Sequence, residues 1–375
     1  YGSVMIASLY LPLRIFPGIL TAQNKFHWVS VFQGAQPALH LLCMTVFLVL
    51  GFGVKSFVYS ALIIVALGIC YYSFLIRRNG NVFNFDFSGV TKDRLKTLTA
   101  FSSSVCVISF TTAAVASVPV FIIARVFGIE ATAIFSFTSK IPTISRSLIG
   151  RTQQAYYPQL QKLYIEKSMD AFKVVYKKSI RLALAMAAIV SLSLVVFNRS
   201  ILSILADDEF FGGYELTAAI LITLIFRSLF SAQIDILRYT ATMRKMPLVA
   251  ILEVVVAAGG SILGGHYFGI TGVVAGSLIG SVLTVGMYSY TEGPKQCGIR
   301  SWELCGESIK LSVIITAVIG LIGLFLGRST VVVGWLPTYQ EILCFAGGGI
   351  LILYLLKSVV LEIYHGKNKK PVKVN

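Results

Sequence analysis

Eleven long apolar stretches run through this chain, and the loops between them alternate between basic and nearly charge-free. We place the stretches at 3–21, 29–52, 56–77, 99–125, 129–151, 178–205, 214–236, 246–267, 270–290, 306–327 and 338–363. An apolar helix of about 20 residues crosses the roughly 30 Å hydrocarbon core of a bilayer. In lipid a helix satisfies its own backbone polar groups, which irregular chain cannot do. The pattern therefore predicts an all-α polytopic membrane protein. Hydrophobic residues form 56% of the 375-residue chain and charged ones 13%, with a mean hydropathy of +0.81. That balance is far from a soluble average.

Charge sets the orientation, because Lys and Arg collect on the cytoplasmic side of membrane helices. Arg77, Arg78, Lys92, Arg94 and Lys96 follow the third stretch, and Arg151, Lys162, Lys167, Lys173, Lys177, Lys178 and Arg181 follow the fifth. Further basic groups follow the first, seventh, ninth and eleventh stretches. Opposite them lie Lys55, Arg125, Arg199 and Arg328, beside the acidic turn Asp207-Asp208-Glu209. Odd stretches therefore run inward and the C-terminus is cytoplasmic. The formal charge of +16 is then mostly topology with some attraction to anionic lipid, and nucleic acid is not an expected partner.

The cysteines and histidines are too scattered for a metal or disulfide framework, so no metal and no cofactor is expected. Asn198-Arg199-Ser200 matches a glycosylation sequon, a chance match at this length. The chain opens on Tyr1, and its first stretch begins on the outer side without a basic lead or signal pattern. We expect about three helices to precede it.

An internal repeat agrees. Gly53-Val-Lys-Ser-Phe-Val-Tyr-Ser-Ala-Leu-Ile63 aligns without gaps on Gly269-Ile-Thr-Gly-Val-Val-Ala-Gly-Ser-Leu-Ile279. Six stretches separate the copies, so both have the same orientation. Parallel repeats of this kind describe a two-lobed transporter with its cavity between the lobes. The expected parts are an incomplete N-terminal lobe (1–80), a cytoplasmic linker (81–98) and a C-terminal lobe (99–290). An extra helix pair (306–364) and a basic cytoplasmic tail (365–375) would follow.

The fifth stretch, Ile129-Glu-Ala-Thr-Ala-Ile-Phe-Ser-Phe-Thr-Ser-Lys140-Ile, continues to Ala155-Tyr-Tyr-Pro158-Gln-Leu. It resembles the G-x-Y-x-x-A-x-K-I … A-x-x-P-x-L segment of the polysaccharide-exporter branch of the multidrug/oligosaccharidyl-lipid/polysaccharide flippase superfamily. Phe135 takes the aromatic place and Ser the usual small-residue place. Leu20-Thr-Ala-Gln-Asn-Lys25-Phe26 is similar to that family's turn after its fourth helix. The resemblance covers most of residues 1–290 and makes the eleven stretches helices four to fourteen of fourteen. It implies a bacterial inner-membrane flippase for O-antigen or other surface polysaccharide. Its cargo would be an undecaprenyl-pyrophosphate-linked oligosaccharide, and other polysaccharide-assembly proteins would be its partners.

The residues make their own argument. Ser136, Lys140, Thr143 and Ser147 recur at helical spacing on one face of the fifth stretch, and Pro142 favours a kink there. A Lys or Arg at mid-membrane costs at least about 2.5–3.5 kcal/mol on insertion scales, so such a residue is expected to have a use. Arg14 and Arg227 lie near the middle of the first and seventh stretches, one per proposed lobe, and Arg146 lies nearer the cytoplasmic end of the fifth. Together with Lys140 they would suit a pyrophosphate, Arg through bidentate hydrogen bonds and Lys as a point charge. Arg227 could instead pair with Asp235 or Glu253, and that acidic pair could sense a coupling ion or be purely structural.

Other classes fit less well. There is no phosphate-binding G-x-x-x-x-G-K-[ST] loop for an ATP-driven pump. A membrane enzyme would need a sizeable outer loop with carboxylates or histidines. The serious alternative is an ion-coupled drug or cation antiporter of the same superfamily, which should favour carboxylates over cations in its cavity.

Overall fold

The apolar stretches fold as helices because each can bond its own backbone while its side chains face lipid or one another. The structure is a computed structural model that describes residues 15–22, 26–78, 91–239 and 245–328, and no strand occurs among them. Seven helical segments of these residues are long and apolar enough to cross a membrane. The difference from eleven stretches has three origins. Most of the first and all of the last lie outside the described residues. The fifth is interrupted in its middle, and the eighth and ninth run on as one segment, Met246–Lys295.

The chain divides into two units, Tyr1–Thr91 and Lys92–Asn375. In the first, α1 (Ile15–Ala22), α2 (Phe26–Val49) and α3 (Ser56–Arg78) bury Leu20, Val29, Tyr72, Leu75 and Ile76 together. Phe32 stacks on Tyr71 at 5.0 Å, and the His40 ring meets the Ser60 hydroxyl at 3.3 Å.

The second unit opens with α4 (Lys92–Val126), so residues 92–98, expected in the linker, are the first turns of a 35-residue helix. Next come α5 (Gly128–Thr138), α6 (Lys140–Gln154), α7 (Tyr157–Ile165) and α8 (Met169–Leu205). The set ends with α9 (Gly213–Tyr239), α10 (Met246–Ser281), α11 (Met287–Gln296) and α12 (Ser301–Arg328). Its core lies where α8, α9 and α12 meet: Ala187, Val195, Leu221, Ile225, Ile315 and Ile319 are fully or nearly fully buried there. The tenth stretch thus packs into the core of the unit. Glu307 of α12 pairs with Arg181 of α8 at the basic end of the bundle.

α10 is a helical hairpin. Phe268 and Gly269 leave helical geometry, with φ +62° at Gly269, a region that only glycine enters freely. Gly53, the matching residue of the sequence repeat, also has positive φ (+54°), and it opens the turn before α3. Both glycines thus take a backbone conformation that other residues rarely adopt. Beyond that turn the α10 arms lie backbone to backbone. A Cβ placed on Gly260 would sit 2.6 Å from the Gly276 carbonyl, and Gly264 faces Gly272 in the same way. Ser261 ties the arms by donating to the Val273 carbonyl at 2.9 Å. Small residues four apart let helices approach this closely, and in lipid close packing is the main attraction between them.

Candidate functional site

The fifth stretch breaks where the sequence removes a hydrogen bond. Pro142 has no N–H, so the carbonyl four residues earlier, at Thr138, loses its helical donor. α5 ends at Thr138 and α6 starts at Lys140. Neighbouring elements supply what is missing. The Asn198 side-chain amide of α8 donates to the Thr138 carbonyl at 3.2 Å. The Thr138 hydroxyl donates to the Phe210 carbonyl at 3.2 Å and accepts from the Gly212 N–H at 2.9 Å. Asn198 is 1% exposed, so the sequon match reports a buried amide in structural use.

Ser136, Lys140, Thr143 and Ser147 all remain exposed beside this break. Lys140 makes no hydrogen bond or ion pair among the described residues. The hydroxyls are quieter than their polarity implies: Thr143 donates to Ser139 and Ser147 to Ile144 within their own helix, as Thr111, Thr112 and Ser117 do on α4. A run of Ser and Thr in these helices is therefore compatible with lipid as well as with a water-filled cleft.

The other predicted residues meet elsewhere. A pocket of about 90 Å³ has an apolar half and a polar half, the polar half being Thr112 of α4, Arg146 of α6, Arg227, Ser231 and Asp235 of α9, and Glu253 of α10. Arg227 donates to Glu253 Oε1 at 2.8 Å and to the Ser281 hydroxyl at 2.7 Å, tying α9 to both arms of the hairpin. Glu253 is therefore its partner, the bland alternative raised by the sequence. Asp235 does a different job: it accepts the hydroxyl of Tyr157, at the start of α7. Both carboxylates are buried, Asp235 at 2% and Glu253 at 4%. Arg146 is half-buried and makes no hydrogen bond or ion pair among the described residues.

The basic residues thus fall into two places within the second unit, Lys140 beside the break and Arg146 with Arg227 at the pocket. Arg14 lies outside the described residues. Ser281, Tyr157 and Asn198 were not legible as partners, because each is brought to its contact by a different helix. The glycine seam was legible, as Gly260-x-x-x-Gly264 and Gly272-x-x-x-Gly276-x-x-x-Gly280. Among the described residues no cluster of His, Cys, Asp and Glu could hold a metal. Comparison with protein-family models, with curated proteins and with solved structures finds no match for this chain.

Proposed function

We propose that the protein is a flippase that moves a polyprenyl-pyrophosphate-linked oligosaccharide across a bacterial cytoplasmic membrane by alternating access of two parallel-repeat lobes. It acts as a carrier and not as an enzyme, with its C-terminus in the cytoplasm. The observation that carries the reading is Lys140. It sits at the centre of the fifth stretch, exposed on a polar face, with no carboxylate paired to it among the described residues. A cation kept there against the cost of desolvation needs an anion from outside its own helix, and a pyrophosphate headgroup supplies one. Arg14 and Arg227 are the further basic residues offered to the headgroup, while the prenyl tail stays in lipid.

The buried carboxylates Asp235 and Glu253 favour a second reading, an ion-coupled antiporter for drugs or organic cations. Each already has a partner, Tyr157 and Arg227, which weakens the case for a cation site. The test is cytoplasmic-leaflet accumulation of lipid-linked oligosaccharide in cells stripped of their own flippase. Wild-type protein is expected to clear it, Lys140→Ala to fail at normal expression, and Lys140→Arg to recover part of the activity. Clearance by Lys140→Ala removes that residue from the site. Failure of the wild type, with resistance to cationic dyes, selects the antiporter.

A further inference from the structure

We infer that Arg146 and Arg227 form a site for one phosphoryl group, and that the Glu253 carboxylate occupies it as a displaceable internal counter-ion. The inference rests on the reading of the cargo as a pyrophosphate-linked lipid. Its starting point is an asymmetry between two guanidinium groups on one pocket. Arg227 is held at 2.8 Å by Glu253 and at 2.7 Å by Ser281, whereas Arg146 lines the same space with no hydrogen bond or ion pair among the described residues. Arg146 shares the pocket with Glu253 and feels its charge without bonding it, and a half-buried guanidinium with no direct partner is expensive in a membrane.

The two carboxylates on the wall are not equivalent. Asp235 is engaged by the Tyr157 hydroxyl and Glu253 by Arg227. The rest of the wall is apolar, from Ile108, Phe230, Ile234, Met246, Ala250 and Val285, apart from Thr112 and Ser231. Ser231 makes no hydrogen bond among the described residues, and its hydroxyl can donate into the space. About 90 Å³ is several times the roughly 10–15 Å³ that one water needs on the same measure, room for a single compact oxyanion.

A phosphoryl group presents to arginine the same pair of oxygens as a carboxylate, so it can take the position of Glu253 on Arg227 while adding Arg146 as a second fork. Without cargo Arg227 is neutralised by its own carboxylate, and with cargo by the phosphoryl group, the displaced Glu253 taking up a proton from solvent so that no buried charge is left unpaired. The exchange also releases a tie between α9 and the α10 hairpin, since Glu253 sits on that hairpin. Binding and loosening of the bundle become one event.

The experiment measures binding of inorganic pyrophosphate to the purified protein in lipid nanodiscs, at neutral pH and low ionic strength. Glu253→Gln keeps the shape and removes the competing charge. It is expected to bind pyrophosphate roughly five- to 150-fold more tightly than wild type, the usual range of a coupling free energy between two binding events. Arg146→Gln is expected to abolish binding in both backgrounds. Equal or weaker binding by Glu253→Gln overturns the counter-ion role, and unchanged binding by Arg146→Gln overturns the site. If Glu253→Gln does not fold, Arg146→Gln in the wild-type background still decides the site. The clearance assay on the same proteins separates this inference from the reading beneath it. Clearance by wild type with equal pyrophosphate affinity in wild type and Glu253→Gln overturns the counter-ion and leaves the flippase standing. Tighter binding by Glu253→Gln without clearance by wild type supports the phosphoryl site and removes the lipid-linked cargo.

Discussion

The side-chain amide of Asn198 donates to the Thr138 carbonyl, 60 residues earlier, at the point where Pro142 has taken that carbonyl's helical donor away. One residue type creates the defect and another, on a different helix, repairs it. The joint lies against the turn between α8 and α9, and its freed carbonyl is satisfied by a neighbouring side chain, as a break in a membrane helix requires. The joint in turn sets where Lys140 begins α6.

Asn198→Ala is therefore expected to lower stability by about 1–3 kcal/mol, the penalty for a buried carbonyl left without a donor. Thermal unfolding of purified protein in detergent reads it. Asn198→Asp should be at least as damaging, because it replaces the donor with a second acceptor. Thr143→Ala, which removes an exposed hydroxyl bonded within its own helix, should change stability by no more than about 0.5 kcal/mol.

The glycine seam of α10 gives an internal contrast. Gly276→Ala puts a methyl group against the Gly260 backbone and should cost about 1–3 kcal/mol through forced separation of the arms. Gly259→Ala meets nothing within 4 Å and should be neutral or stabilising, since alanine is the better helix former. Equal effects at the two sites would show that the arms do not touch along this seam.

The Arg227–Glu253 pair predicts strong non-additivity. Arg227→Met leaves Glu253 buried without its cation and should destabilise by about 3–5 kcal/mol. Arg227→Met with Glu253→Met should recover most of that loss, because a buried pair can be replaced by apolar side chains at little net cost. If the guanidinium also handles cargo, the double variant folds yet fails to clear lipid-linked oligosaccharide. A double variant as unstable as the single one would sink the pairing.

Cys297, in the connection before α12, is 5% exposed, and burial pushes its thiol up to about 11. The thiolate is the nucleophile, so a rise of about two units from the ordinary value removes roughly 99% of it near neutral pH. Maleimide should leave Cys297 unmodified in folded protein at neutral pH and label it after SDS denaturation. Rapid labelling of the folded protein would place this loop in solvent.

Much of the architecture follows from local rules that operate along the chain. Apolar length, basic loop residues and the turn glycines Gly53 and Gly269 are each readable without a partner, because bilayer thickness, loop charge and positive φ act on a few neighbouring residues at a time. The joint near Pro142 was readable for the same reason, and so was the cost of placing Lys140 in the membrane. Which group answers each of these was not. That Arg227 takes Glu253 and Ser281, that Asp235 takes Tyr157, and that Asn198 reaches Thr138 depend on how α6 to α10 cross one another. Sequence periodicity specifies the face on which a side chain lies. Only the packing of that face against another helix decides whether a charged side chain is bonded by its neighbour, like Arg227, or lines the same pocket without a direct bond, like Arg146.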